Sequence, residues 1–283
     1  PLRLVGSEMC IRDRLNDIGG YVVLKVTTWN INSFRLRESL IVKYIQEYLP
    51  DVICLQECKS PVEKMPFAVF AELGYLYYAA RGQKGYNGVA ILSKLPIREE
   101  FSEDFANLGH ARHVAAVLEN GLTIHNFYVP AGGDEPDPNT NEKFSQKLSY
   151  LTHMEQYFDN IDVKKSILVG DLNIAPGPDD VWDHKKLSGV VSHTPIEIDY
   201  LKKVQNTGRW VDVVRECIPN GLLFSWWSYR AKDWSFADKG RRLDHVWATP
   251  DISDRARSAL VARDVRGWEQ PSDHAPIFVV FDV

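Results

Sequence analysis

The feature that most constrains this chain is a change of rhythm. From Tyr21 onward, short β-rich runs alternate with segments of helical period, and a chain patterned in this way folds as an α/β protein. Residues 22–29 predict a strand, after which Leu36, Leu40, Tyr44, Ile45, Tyr48 and Leu49 recur at helical spacing until Pro50 ends the helix. Residues 51–56 predict a second strand, with a helix over 62–73 behind it. Extended runs at 75–80, 88–92, 113–118 and 122–128, joined by Gly-bearing turns such as Glu119-Asn120-Gly121, read as antiparallel strands. Asn139 then offers an N-cap with Glu142 three residues on, ahead of a helical face made by Phe144, Leu148, Leu151, Met154 and Phe158. Further strands fit 166–170, 244–248, roughly 256–265, and 276–281. No linker rich in Pro, Gly or Ser divides the chain after residue 21, so the expectation is one domain, 21–283, of two packed sheets flanked by helices.

Composition narrows the class. With 283 residues, 45% hydrophobic and 11% aromatic, the chain can bury a substantial core and is neither disordered nor collagen-like. Its apolar runs are far shorter than the roughly 18 residues of a membrane-spanning helix, so no membrane association is expected. Lys and Arg number 33 against 38 Asp and Glu, a formal charge of −5, which argues against coating nucleic acid by bulk charge and leaves room for a local basic groove. Cys10, Cys54, Cys58 and Cys217 have neither zinc-site spacing nor the density of a disulfide scaffold, so reduced thiols and a cytoplasmic location are expected. Residues 1–20 show no export-signal pattern and no sustained periodicity. They are expected to be an extension, disordered or non-native, outside the fold.

Chemistry-bearing residues sit where apolar strands stop. Trp29-Asn30-Ile31-Asn32 puts two carboxamides on one face, suited to a phosphate oxygen or a metal-bound water and equally to turn hydrogen bonds. Leu55-Gln56-Glu57-Cys58-Lys59 drops a carboxylate at a strand rim, the kind of ligand that hard divalent cations take. Gly170-Asp171-Leu172-Asn173 places a carboxylate and a carboxamide two residues apart, which suits a base that activates water beside a donor that holds it, or an Asx turn before Pro176. Arg242-Leu243-Asp244 and Ser272-Asp273-His274-Ala275-Pro276 supply a carboxylate and a histidine. An Asp beside a His stabilises its charged form against a phosphate. From Tyr229 to Arg242 there are five cations, Arg230, Lys232, Lys239, Arg241 and Arg242, against Asp233 and Asp238, a net of +3, interleaved with Trp226, Trp227, Trp234 and Phe236. Aromatic wedges beside cations suit a kinked or flipped nucleotide, and a Trp-rich core segment would look the same.

Taken in order, these segments resemble the exonuclease III family of apurinic/apyrimidinic endonucleases, within the endonuclease/exonuclease/phosphatase superfamily. The likeness also covers Gly82-Gln83-Lys84-Gly85-Tyr86-Asn87-Gly88, Tyr128-Val129-Pro130 and Phe224-Ser225-Trp226-Trp227, and runs over nearly the whole chain. It implies a four-layer α/β sandwich and a metal-dependent DNA repair nuclease. Such an enzyme would cut 5′ to abasic sites, or remove nucleotides and blocking groups from 3′ ends of duplex DNA, as a monomer. It implies magnesium, or manganese in its place, held by Glu57 with help from Asn32 and supported by Asn30 and Asp273. Asp171 would activate water, Asn173 would orient it, His274 held by Asp244 would bind the phosphate, and Tyr128 would lie near the phosphate or leaving group. Lys84, Arg112, Trp226, Arg230, Arg241 and Arg242 would contact DNA. Arg241 stands where an apolar wall for the abasic sugar is expected. The alternatives are a phosphatase or RNA-directed nuclease on the same scaffold, or a catalytically silent nucleic-acid-binding module.

Overall fold

The computed structural model describes residues 23–231 and 233–283, so the expected extension 1–20, Cys10 and Lys232 lie outside the described residues. The strands are β1 (Val23–Asn30), β2 (Val52–Gln56), β3 (Tyr77–Arg81), β4 (Val89–Ser93), β5 (Ile97–Phe101), β6 (His113–Leu118), β7 (Thr123–Tyr128), β8 (Ser166–Asp171), β9 (Val211–Asp212), β10 (Trp226–Trp227), β11 (Gly240–Arg241), β12 (Asp244–Ala248), β13 (Ala256–Val261) and β14 (Ile277–Asp282). Two six-stranded sheets result, ordered β13–β14–β1–β2–β4–β3 and β5–β6–β7–β8–β12–β9, with β10 and β11 as a separate ribbon. Within the six-stranded sheets each has one parallel pair among the described residues, β1 with β2 and β7 with β8, and the rest are antiparallel.

Period-2 alternation sorts each strand between two environments. Leu24, Val26, Val52 and Cys54 from the first sheet meet Val114, Ile124, Ile167, Val169 and Val246 from the second in the central core. On the outer face of the first sheet, Trp29, Ile53 and Leu55 pack under α1 (Glu38–Tyr48) through its stripe of Leu40, Ile41, Tyr44 and Ile45. Each of these aliphatic side chains contributes about 1.5–3 kcal/mol by burial. The helix ends with Leu49 in the left-handed region, its N–H on the Ile45 carbonyl, just before Pro50. Outside the second sheet, Phe127, Leu168 and Trp247 pack under α2 (Glu142–Asp159) and α3 (Pro195–Thr207). The order helix, sheet, sheet, helix is the expected four-layer sandwich.

Several local expectations change. The N-cap of α2 is Asn141, whose side chain accepts from the Lys143 N–H, while Asn139 bonds Asp137 in the preceding turn. The helix expected over 62–73 is a 3-10 turn at Val62–Lys64 and a short helix at Phe67–Ala71, because Pro66 interrupts the backbone ladder between them. The last part of the expected 256–265 strand is a 3-10 turn, Arg263–Gly267.

Candidate active site

The two parallel pairs explain where the polar residues gather. A parallel pair ends both strands at the same edge, so β1 and β2 deliver Asn30 and Glu57 side by side, while β7 and β8 deliver Tyr128 opposite Asp171. Antiparallel β12 starts where β8 ends, which sets Asp244 opposite Asp171. The segment entering β14 brings Asp273 and His274 beside the end of β1, where Ser272 Oγ donates to the Asn30 carbonyl (2.6 Å) and Trp29 Nε1 to the His274 carbonyl (2.9 Å). Parity puts Asn30, Gln56, Tyr128, Asp171 and Asp244 on the inner faces. The apolar core therefore turns polar at one end of the sandwich, through Gln56 Nε2, which donates to Thr28 Oγ1 (2.9 Å) and Asn126 Oδ1 (2.7 Å).

Asn30 joins the two sheets' contributions. Its Nδ2 donates to Glu57 Oε1 (3.0 Å) and Asp171 Oδ2 (2.9 Å), and its Oδ1 accepts from the Asn32 N–H (3.1 Å). Tyr128 OH donates to Glu57 Oε1 (2.7 Å). Asp171 Oδ1 accepts from the Asn173 N–H (2.9 Å), and Oδ2 from Asn173 Nδ2 (3.1 Å), which also bonds the Val129 carbonyl (2.9 Å). His274 Nδ1 lies 2.8 Å from Asp244 Oδ2, and its Nε2 lies 3.8 Å from Asp171 Oδ2. Asn32, Glu57, Lys59 and Asn173 all have positive φ near +50°, a conformation non-glycine residues adopt at a cost and one that clusters at functional sites.

The electrostatics follow from burial and pairing. Burial and the neighbouring Asp244 push the Asp171 carboxyl up, against the pull of His274. Burial alone would lower His274, but Asp244 and Asp171 outweigh it and raise the imidazole well above its usual range. Burial would also raise Glu57, yet the Lys59 ammonium and hydrogen bonds from Asn30, Lys59 and Tyr128 hold it below the usual carboxylate value. Burial and Glu57 keep Tyr128 a phenol.

The Glu57 side of the site suits a hard cation. Lys59 Nζ sits 2.7 Å from Glu57 Oε2 and 2.5 Å from Asn32 Oδ1, so these two oxygens already converge on one cationic centre, and Asn32 Nδ2 reaches Asp273 Oδ1 (3.3 Å). The donors are all oxygen, as magnesium or manganese requires. Asp171, Asp244 and His274 form a second cluster with ligand atoms within 4.8 Å of one another.

Around this centre the expected DNA contacts divide. Trp226 is half-buried, its Nε1 donating to Asp273 Oδ2 (3.0 Å), and the Arg241 guanidinium lies 5.6 Å from its ring. Arg241 Nη1 is tied to the Val191 carbonyl (2.8 Å) and Ser192 Oγ (2.6 Å). Arg112 lies over the Tyr128 ring at 4.5 Å and bonds the Tyr128 carbonyl (3.2 Å), while Lys84 and Arg230 are exposed. Trp227 is core, and Phe236 is 90% exposed. Arg242 is a correction. It is 1% exposed and its guanidinium is engaged by Asp180 (2.7 Å) and Asp212 (2.8 Å), so it cannot reach a phosphate. Lys59 and Ser272 belong to the centre and were missed as site residues. The signal for both was adjacency, two residues past Glu57 and two before His274.

The sequence pattern of the endonuclease/exonuclease/phosphatase family matches residues 27–274, and the chain belongs to that family. Within it the chain falls in the exonuclease III branch. It is 32% identical to exodeoxyribonuclease III of Haemophilus influenzae over 273 residues, covering 91% of this chain and all of the relative. An AP endonuclease structure from Archaeoglobus fulgidus superposes with a TM-score of 0.85 at 33% identity, covering 92% of this chain and 100% of that one. The 3′ phosphatase NExo from Neisseria, bound to a product DNA hairpin, gives 0.85 at 28% identity with the same coverage.

Proposed function

We propose that this chain is a divalent-metal-dependent DNA repair nuclease that hydrolyses phosphodiesters of duplex DNA 5′ to abasic sites and clears nucleotides or blocking groups from 3′ ends. The observation that carries the reading is the Asn30 bridge. One carboxamide holds both Glu57, the cation-side carboxylate, and Asp171, the water-side one, so the two halves of a phosphoryl-transfer centre share a single fixed point. Glu57 and Asn32, with Asp273 behind them, would hold magnesium, or manganese in its place, and when bound that ion supplies charge neutralisation at the phosphate. Asp171, fixed on both oxygens, takes a proton from the attacking water. Asn173 holds the base through its nitrogen, leaving its Oδ1 as the atom to orient that water. His274, charged and braced by Asp244, points its Nε2–H at a non-bridging oxygen, and the 3.8 Å gap to Asp171 keeps that donor from being spent inside the protein.

Arg241 over the Trp226 ring, Arg112 over the Tyr128 ring and the exposed Lys84 and Arg230 support the local positive, aromatic surface that a chain of net charge −5 needs for DNA. Free, buried Cys54 and Cys58 support a cytoplasmic setting, and no helix among the described residues is long and apolar enough to cross a membrane. A monomer suffices for this site. The test is a duplex with one abasic analogue beside intact, nicked and 3′-phosphorylated controls, with and without magnesium. Nicking at the lesion and release of 3′ phosphate, both lost in excess chelator, are expected. Full activity in chelator would overturn the mechanism.

A further inference from the structure

Lys147 lies on the apolar stripe of α2 and is fully buried, as is Glu197 on α3. Burying an ammonium and a carboxylate is costly unless every donor is used, and here they are. Lys147 Nζ donates to Glu197 Oε1 (2.5 Å), to the Asn173 carbonyl (2.8 Å) and to the Ala131 carbonyl (3.3 Å). The two carbonyls belong to the loops that leave β8 and β7, the strands that carry Asp171 and Tyr128. Glu197 in turn accepts from the Ser192 N–H (2.9 Å), from Thr194 Oγ1 (2.6 Å) and, as the capping box of α3, from the Thr194 N–H (3.2 Å), and the Ser192 carbonyl accepts from the Ala175 N–H (2.7 Å). Gly132, at φ +90°, makes room for the lysine stem, since a Cβ there would lie 3.0 Å from Lys147 Cδ.

We propose that Lys147, anchored by Glu197, is a positioning residue for the reaction. It fixes the peptide that follows Asn173 and so sets the angle at which the Asn173 amide and carboxamide grip Asp171. An apolar side chain would fill this space at lower cost but could not hold two carbonyls and a helix terminus at one point. Asn173, at φ +54°, is the residue whose conformation such an anchor has to impose. The inference rests on the reading of Asp171 and Asn173 as the water-activating pair.

The test compares the neutral pair Lys147→Met/Glu197→Gln, which leaves no lone buried charge, with Met154→Ala on the same helix as a destabilised control. The double variant is expected to lose about 100-fold in kcat with KM changed by less than about 3-fold, the signature of a misplaced reacting group. The Asn173 side-chain amide protons should also exchange faster with solvent. Met154→Ala should melt earlier yet keep both kcat and slow exchange. A folded double variant with wild-type kcat would overturn the proposal. Should that variant not fold, the native protein decides: a slowly exchanging Lys147 ammonium resonance in ¹⁵N NMR supports the anchor, and its absence overturns it. Wild-type protein that cleaves no phosphodiester would instead sink the functional reading.

Discussion

A carboxylate whose Oδ1 is held by one backbone amide and whose Oδ2 is held by two carboxamides has little freedom to move, and at Asp171 that rigidity serves proton abstraction. Asp171→Asn keeps the shape and removes the base, so kcat should fall by about 10²–10⁴-fold while duplex affinity, measured by titration with an uncleavable analogue, stays within a few-fold. Parallel loss of affinity and rate would make Asp171 structural. Arg242 shows the opposite case. Removing its guanidinium leaves buried Asp180 with Arg215 as its remaining cation and strips Asp212 of its Arg242 bond, so Arg242→Met should cost about 1–3 kcal/mol of stability in urea denaturation. The salt dependence of DNA binding should be unchanged, whereas a phosphate contact would reduce it. These two residues mark what sequence reveals at this scale. Asp171 was legible because a carboxylate ending an apolar strand has no reason to be there except chemistry or a turn. Arg242 was not, because the partners that bury it, Asp180 and Asp212, are 62 and 30 residues away and nothing local signals them.

Elements were legible where one face meets the core and obscure where it does not. The β-runs at 113–118 and 166–170 announced themselves because burial imposes apolar residues along them. Strand β5 was missed because Arg98, Glu99 and Glu100 are exposed on a sheet edge, where charge protects against unwanted pairing and erases the pattern. Helix α3 was missed although Thr194, Pro195 and Glu197 form a readable start signal, since Glu197 occupies a buried position that periodicity expects to be apolar. Strand β8 carries the sharpest element-level constraint. At Gly170, φ is +141° and a Cβ would come 1.9 Å from the Phe127 carbonyl oxygen, so only glycine lets β7 and β8 pair at their ends. Gly170→Ala should therefore disrupt the parallel pair that places Tyr128 opposite Asp171. The expected outcome is a loss of both thermal stability and kcat, read by calorimetry and single-turnover hydrolysis. A variant with wild-type values for both would show that the strands pair without this close approach.

For the molecule as a whole, acid stability should be set largely by three buried histidines that take no part in the reaction, His113, His125 and His245. Each is fixed as neutral by its partners. His113 Nδ1 accepts from the Glu103 N–H (3.0 Å), so its proton is on Nε2, which faces His125 Nδ1 at 3.2 Å. His245 Nε2 faces the Ile174 carbonyl at 2.8 Å, so its Nδ1 is the acceptor that faces Arg242 Nη1 at 3.3 Å. A second proton on His113 or His245 would set N–H against N–H, and one on His125 Nδ1 would oppose the His113 donor. Burial adds to this, pushing His125 and His245 down to about 4 and His113 well below its usual range. Because the folded values lie below the unfolded value of about 6.5, the unfolded chain takes up protons first as pH falls. Stability is thus unaffected by these groups above about 6.5 and declines below it, by up to about 1.4 kcal/mol per pH unit for each histidine, down to about 4 for His125 and His245. The carboxylates held low, Glu57 and Asp180, stay charged in both states through most of this window and lose their contribution only at its acid end and below. His274 and Asp171 act in the other direction: the raised value of His274 favours the folded state below about 6.5 and fades as pH climbs toward about 10, and the Asp171 carboxyl, raised to about 7, lets the folded state take up a proton first below that value and offsets part of the histidine loss. Urea midpoints taken between pH 7.5 and 4.5 should therefore fall steadily once below about 6.5. His125→Gln should remove one of the three contributions and flatten that decline, and a wild-type curve that stays level to pH 4.5 would mean these imidazoles accept protons without disturbing the fold.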